Sequence, residues 1–130
     1  MILEVDPSSP LPPYEQIRSQ VATMAATGVL PVGARLPSIR QLASDLGLAS
    51  GTVARAYREL EAEGVVVSRV RHGTTVAPGA ARPRTDARSR LTDLARAYAV
   101  AAYGLGVRPD QAVTAVERQF ATLVREQERS

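Results

Sequence analysis

Between Leu36 and Val76 the apolar positions keep a helical period twice and then change to the period of a strand. Ile39, Leu42, Ala43 and Leu46 fall at i, i+3, i+4 and i+7, which gathers them on one face of a short helix. Ser38 is placed to cap that helix, behind Pro37, which a helix interior rejects. Gly47 ends it, because glycine enters the left-handed conformation without steric cost. Val53, Ala56, Tyr57 and Leu60 repeat the spacing in a second helix that starts near Ser50 or Gly51 and closes at Gly64. Arg55, Arg58, Glu59 and Glu63 occupy its other faces. The stretch Val65 to Val70 is then rich in β-branched residues, Arg71-His72-Gly73 reads as a turn with His72-Gly73 tight, and Thr74-Thr75-Val76 returns. Two helices about a glycine turn, followed by a hairpin with a basic tip, are the order of a winged helix-turn-helix. Such a unit inserts one helix into a DNA groove and lays the hairpin beside it. The competing readings, two helices of an ordinary bundle and a solvated basic turn, account for the pieces but not for their order.

The flanks add three helices. Residues Met1 to Pro13 form an extended lead-in, where Pro7, Pro10, Pro12 and Pro13 oppose a helix and Ile2-Leu3-Glu4-Val5 alternates like a short strand. Tyr14, Ile17, Val21 and Met24 mark a helix from about Leu11 or Tyr14 to Thr27, stopped by Gly28. Leu30-Pro31-Val32-Gly33 is a turn, and Ala34-Arg35-Leu36 a small strand for the wing to pair with. Pro78 to Thr85 reads as a linker. Beyond it, Leu91, Leu94, Ala95, Tyr98 and Ala102 mark a helix from about Asp86 to Tyr103, broken at Gly104-Leu105-Gly106. Pro109 suits the first turn of a last helix, with Asp110 favourable at its positive end. Arg108 stands where a capping Ser or Asp is expected.

The expected fold is mainly α with a small β-hairpin wing. It divides into a winged helix-turn-helix over residues 1–77, a linker over 78–85 and a two-helix region over 86–130. Two helices with bare apolar faces do not make a stable domain alone. They pack on the winged helix or on a second copy, and two-fold dimers are the commonest soluble oligomers. Leu91, Leu94, Tyr98, Val113, Val116, Phe120, Leu123 and Val124 are the expected homodimer contacts.

Composition narrows the chemistry. A chain of 130 residues holds one such domain and a small appendage, and 45% hydrophobic residues supply a core. With 4% aromatics that core is built from Ala, Val and Leu. The formal charge of +3 suits a polyanionic partner, and every one of the basic residues is Arg, the side chain that forks onto phosphate and guanine. No cysteine is present, which excludes disulfides and zinc–thiolate sites and fits the cytoplasm. The start, MILEVDPSSPLPP, is not a secretory signal, and no apolar run approaches the roughly 18 residues of a membrane helix. An enzyme is disfavoured. His72 is the only histidine, no Gly-rich phosphate loop or paired acid cluster appears, and Glu59, Glu61 and Glu63 read as a solvated run. No catalytic residue, metal or cofactor is expected, and no polar cluster marks an effector site.

The residues resemble the GntR family of bacterial transcription regulators. The resemblance runs from about Leu11 to Val76 through Tyr14-Glu15-Gln16-Ile17-Arg18, Gly28-Val29-Leu30, Gly33, Leu36-Pro37-Ser38, Arg40, Leu42-Ala43, Leu46-Gly47, Thr52-Val53, Ala56-Tyr57, Leu60, Gly64 and His72-Gly73-Thr74. The two-helix tail is similar to that of the YtrA-type branch, in which such a tail mediates dimerisation. The length excludes the family's large helical effector domains and its aminotransferase-like domains. The resemblance implies that Arg40 reads a base and that Thr52 contacts phosphate. Ser38, Ser50, Gly51, Arg55, Arg69, Arg71, His72 and Gly73 complete the expected DNA contacts. Many relatives carry Arg where this chain has Ser50, and an aromatic where it has Thr75, so the base preference of relatives does not carry over directly. The function implied is a dimeric regulator, a repressor, on a two-fold double-stranded DNA operator. The alternative is a winged-helix module that binds protein.

Overall fold

A computed structural model describes residues 2–80 and 87–129. Helix α1 (Pro13–Thr27) starts on a proline, which corrects the expectation that Pro13 opposes a helix. The first helical position needs no N–H, so proline is tolerated there. Gly28, at φ 82°, ends α1. Ser38 caps α2 (Ile39–Leu46) by accepting the Gln41 N–H at 3.1 Å, and Gly47 turns the chain at φ 66°. Helix α3 (Ser50–Ala62) follows two residues later. Strands β1 (Val66–Arg69) and β2 (Gly73–Val76) pair antiparallel, with Val66 opposite Val76 and Arg69 opposite Gly73. Arg35 bridges to Thr75, with the Leu36 N–H donating to the Thr74 carbonyl at 2.8 Å, so the expected third strand is present as a single bridge.

Ile2 to Val5 form no strand. Leu3 enters the core, while the Glu4 and Asp6 N–H groups donate to the side-chain oxygens of Gln20 and Gln16. Side-chain amides on α1 thus take the place of a ladder. The core joins Ile17 and Val21 of α1, Leu42 of α2, Val53, Ala56 and Leu60 of α3, and Val66 and Val76 of the hairpin. Ala80 still packs in this core, whereas the rest of the expected linker, at 81–85, lies outside the described residues.

Helices α4 (Ala87–Gly104) and α5 (Pro109–Arg129) are linked by Tyr98, whose hydroxyl donates to the Ala112 carbonyl at 2.8 Å. The Arg108 N–H donates to the Gln111 side chain at 3.2 Å, half of a capping box that makes up for the missing capping side chain. Among the described residues α4 buries only Ala102, and α5 buries none.

The tail meets the winged helix through an ionic cluster. Glu15 of α1 is 1% exposed and accepts from Arg18 at 2.7 Å and Arg96 of α4 at 3.1 Å. Arg18 also reaches Glu63 at 3.1 Å, and Arg96 reaches Glu59 at 2.6 Å. The expectation of a solvated Glu59–Glu63 run is corrected in part: Glu59, half-buried, and Glu63, still exposed, both pair with the cluster, whereas Glu61 points to water. Burial pushes the Glu15 carboxyl up, but the hydrogen bonds and charges of Arg18 and Arg96 outweigh it and hold the carboxyl below the usual range. Arg96 is raised, first by its hydrogen bonds to Glu15.

A carboxylate depressed in the folded state contributes stability that is full above its unfolded value and is lost as pH falls through its folded value. Urea midpoints should therefore hold above about pH 5 and drop as the solution passes below 4.5. Glu15→Gln should flatten that drop and cost less at neutral pH than the roughly 3–5 kcal/mol of a fully orphaned buried charge, because Arg18 and Arg96 keep Glu63 and Glu59. An acid limb unchanged by Glu15→Gln would assign it to other groups.

Candidate nucleic-acid interface

The first turn of α2 and the first turn of α3 set out the candidate contacts. Ser38 and Arg40 are exposed at the start of α2, Arg40 being its second residue. No described residue forms an ion pair with Arg40; Asp45, on the same helix, instead accepts from Gln41 at 2.8 Å. The Tyr57 hydroxyl donates to the Pro37 carbonyl at 2.7 Å, which ties the middle of α3 to the start of α2. Burial pushes that phenol up to about 12, so it remains a donor through the neutral range.

Ala49 precedes α3 and offers no side-chain cap. Ser50 and Gly51 stand exposed in the first turn, and Thr52 is half-buried beside them. Open N–H groups at a helix start attract anions. Arg55 projects one turn further and stacks its guanidinium 3.8 Å from the centre of the Tyr14 ring. Such a contact is worth roughly 0.5–1 kcal/mol at an exposed site and holds the charge in one place.

The wing's loop, Val70 to His72, lies one residue before the expected Arg71-His72-Gly73, and Gly73 already belongs to β2. The His72 N–H donates to the Arg69 carbonyl at 3.1 Å, so Val70 and Arg71 occupy the bend. Arg71 adopts φ 73°, a left-handed backbone that glycine normally takes. Arg69, Arg71, His72 and Gly73 are all exposed. The structure adds Arg35, which sequence reasoning placed on a strand without giving it a role. Its guanidinium lies against Gly73, where a Cβ would fall 3.1 Å from Nε. The left-handed backbone of Gly73, at φ 70°, explains the glycine, and the signal for Arg35 was its place two residues before the Pro37-Ser38 cap. Arg35, Arg69, Arg71 and His72 thus share the wing, while Ser38, Arg40, Ser50, Gly51, Thr52 and Arg55 belong to the two helix starts.

The described residues hold no cluster of three potential metal ligands and no helix long and apolar enough to cross a membrane. This arrangement of helices and hairpin is a winged helix-turn-helix. Residues 13–76 match the family described as bacterial regulatory proteins, gntR family. The chain belongs to the GntR family, in its YtrA-type form. It is 49% identical over 74 residues to the HTH-type transcriptional regulator Rv1152 of Mycobacterium tuberculosis, covering 57% of this chain and 61% of that one. It is 37% identical over 79 residues to the HTH-type transcriptional repressor YtrA of Bacillus subtilis, covering 61% of each. The matches thus span about three fifths of these curated relatives. The structure of YtrA from Sulfolobus acidocaldarius, a GntR-family transcription factor, superposes with a TM-score of 0.58 at 34% identity, covering 74% of this chain and 95% of that one.

Proposed function

We propose that this protein is a dimeric, cytoplasmic transcription regulator, a repressor, that binds a two-fold symmetric operator in double-stranded DNA. The observation that carries the reading is the pairing of an unpartnered Arg40 and an uncapped α3 start with a wing bearing Arg35, Arg69 and Arg71. Family membership and the repressor name of the Bacillus relative support the same reading. In this reading residues 1–77 bind DNA, 78–85 connect, and 86–130 dimerise. Arg40 reads a base edge; Ser38 and Thr52 hold phosphates; Arg35, Arg69, Arg71 and His72 follow the groove beside the wing.

The tail supports the dimer. Leu91, Leu94, Val113, Phe120, Leu123 and Val124 are between 53% and 68% exposed, a set of large apolar groups that water does not favour. Val116 is half-buried, and Tyr98 also serves inside its own chain by binding Ala112. A second copy covers this surface by the symmetry that an operator with two half-sites requires.

Duplex titrations test the DNA contacts. If the dimer neutralises about six phosphates, log K should fall against log salt with a slope of about −5. Arg40→Ala should cost roughly 1–3 kcal/mol on the best operator and flatten preference at one symmetric position. Arg71→Ala should weaken all duplexes evenly and reduce the slope by about one per phosphate lost. A flat salt dependence would favour a protein partner instead, and even losses for Arg40→Ala would reduce that residue to a phosphate contact.

Sedimentation tests the tail. Phe120→Asp should convert a dimer to a monomer with an unchanged circular dichroism spectrum, since Phe120 is 63% exposed and its loss opens no core. A dimer that survives Phe120→Asp together with Leu123→Asp would place the interface elsewhere.

A further inference from the structure

Arg96 of α4 grips two elements of the winged helix at once. It donates to Glu15 of α1 at 3.1 and 3.2 Å and to Glu59 of α3 at 2.6 Å, with Glu63 at 3.8 Å. The packing around it is open. One cleft separates Ser19, Ala22 and Thr23 of α1 from Asp93 and Ala97 of α4. A second opens between Ala26, Val65 and Ala80 on one side and Thr92 on the other. A third lies between Arg58, Ala62 and Arg96. Interdigitated apolar side chains would fix an interhelical angle by shape. Here the contact is a planar guanidinium fork, which is directional because each N–H must meet a carboxylate oxygen.

We infer that Arg96 is a positioning residue: it locks the tail to α1 and α3 in one orientation and thereby sets the separation of half-sites that the dimer accepts. The inference rests on the dimeric operator-binding reading above. Two α3 helices in a dimer are held apart by a path that runs from each α3 through Glu59 and Arg96 into α4 and on to the interface. A loose joint in that path lets the two winged helices find half-sites at several spacings. A fixed joint accepts one, because half-sites recur with the helical repeat of the duplex. Glu59 lies four residues after Arg55, on the same helix that meets DNA, so the joint acts on the recognition helix itself. Arg96 itself touches no DNA in this account.

The absence of cysteine allows a direct measurement of the joint. Spin labels on Ser44→Cys of α2 and Ala99→Cys of α4, both exposed positions, report the distance between winged helix and tail. Labelled protein diluted into unlabelled protein restricts the signal to one chain. The wild-type background should give one narrow distance distribution. Arg96→Met should broaden it, and Arg96→Lys, a point charge that cannot fork onto both carboxylates, should fall between the two. In parallel, two-fold duplexes whose spacer is lengthened or shortened by one to five base pairs are titrated. Wild type should lose at least about tenfold off its best spacing, and Arg96→Met should discriminate by less than about threefold while binding a single half-site as wild type does. The remaining Arg18 partner of Glu15 keeps the variant folded, which its thermal midpoint checks. An unchanged distance distribution in Arg96→Met overturns the inference, as does a broadened one with spacing preference intact. A wild-type protein that binds no duplex contradicts the operator reading and with it the spacing role, while the spin labels still decide whether Arg96 is the lock.

Discussion

A carboxylate with almost no access to water lies where α1, α3 and α4 come together, and the seating of α4 on the winged helix depends on it. Glu15 has 1% of its surface exposed, and an isolated charge there would be costly. Arg18 alone meets part of that need from its own helix. The rest comes from α4 through Arg96, and the two guanidiniums in turn draw in Glu59 and Glu63 from α3. The tail is joined to α3 by charge geometry through Arg96 and Glu59. Such a cluster contributes specificity of arrangement more than stability, because buried ion pairs gain little over apolar packing.

The candidate DNA interface is built on different physics. Its arginines are exposed, and little inside the chain holds them except the Tyr14 ring under Arg55 and the Gly73 backbone beside Arg35. Exposed charges lose little on leaving water for phosphate, and they act over a Debye length before contact. Arg71 keeps a left-handed backbone at the wing tip that a glycine would relieve. Strain of this kind, roughly 1–2 kcal/mol for a residue with a side chain, fits a charge retained for a partner.

Most of the fold was legible because it rests on local rules. Ser38 capped the helix it was expected to cap, Gly47 and Gly28 ended theirs, and Ile17, Leu42, Val53 and Leu60 turned inward at helical spacing. The misreadings came from long-range partners. Ile2 to Val5 had the alternation of a strand, but Gln16 and Gln20 satisfied that backbone from across the structure. Glu59 and Glu63 looked like a solvated run because their partners, Arg18 and Arg96, lie 45 and 37 residues away in sequence. Glu15 carried no local sign of burial at all. In the candidate site, the residue types and their helix starts were readable, whereas the partner of Gly73, Arg35, emerged only from the bridge to Thr75.

In the proposed dimer, two copies paired through the tail present two winged helices to one duplex. Selection of bound sequences from random double-stranded DNA by the full chain tests it most directly. Such a dimer should enrich an inverted repeat whose two half-sites keep one fixed spacing, with centres about one helical turn or a whole multiple apart. Enrichment of a lone half-site, of direct repeats, or of no sequence at all would contradict it.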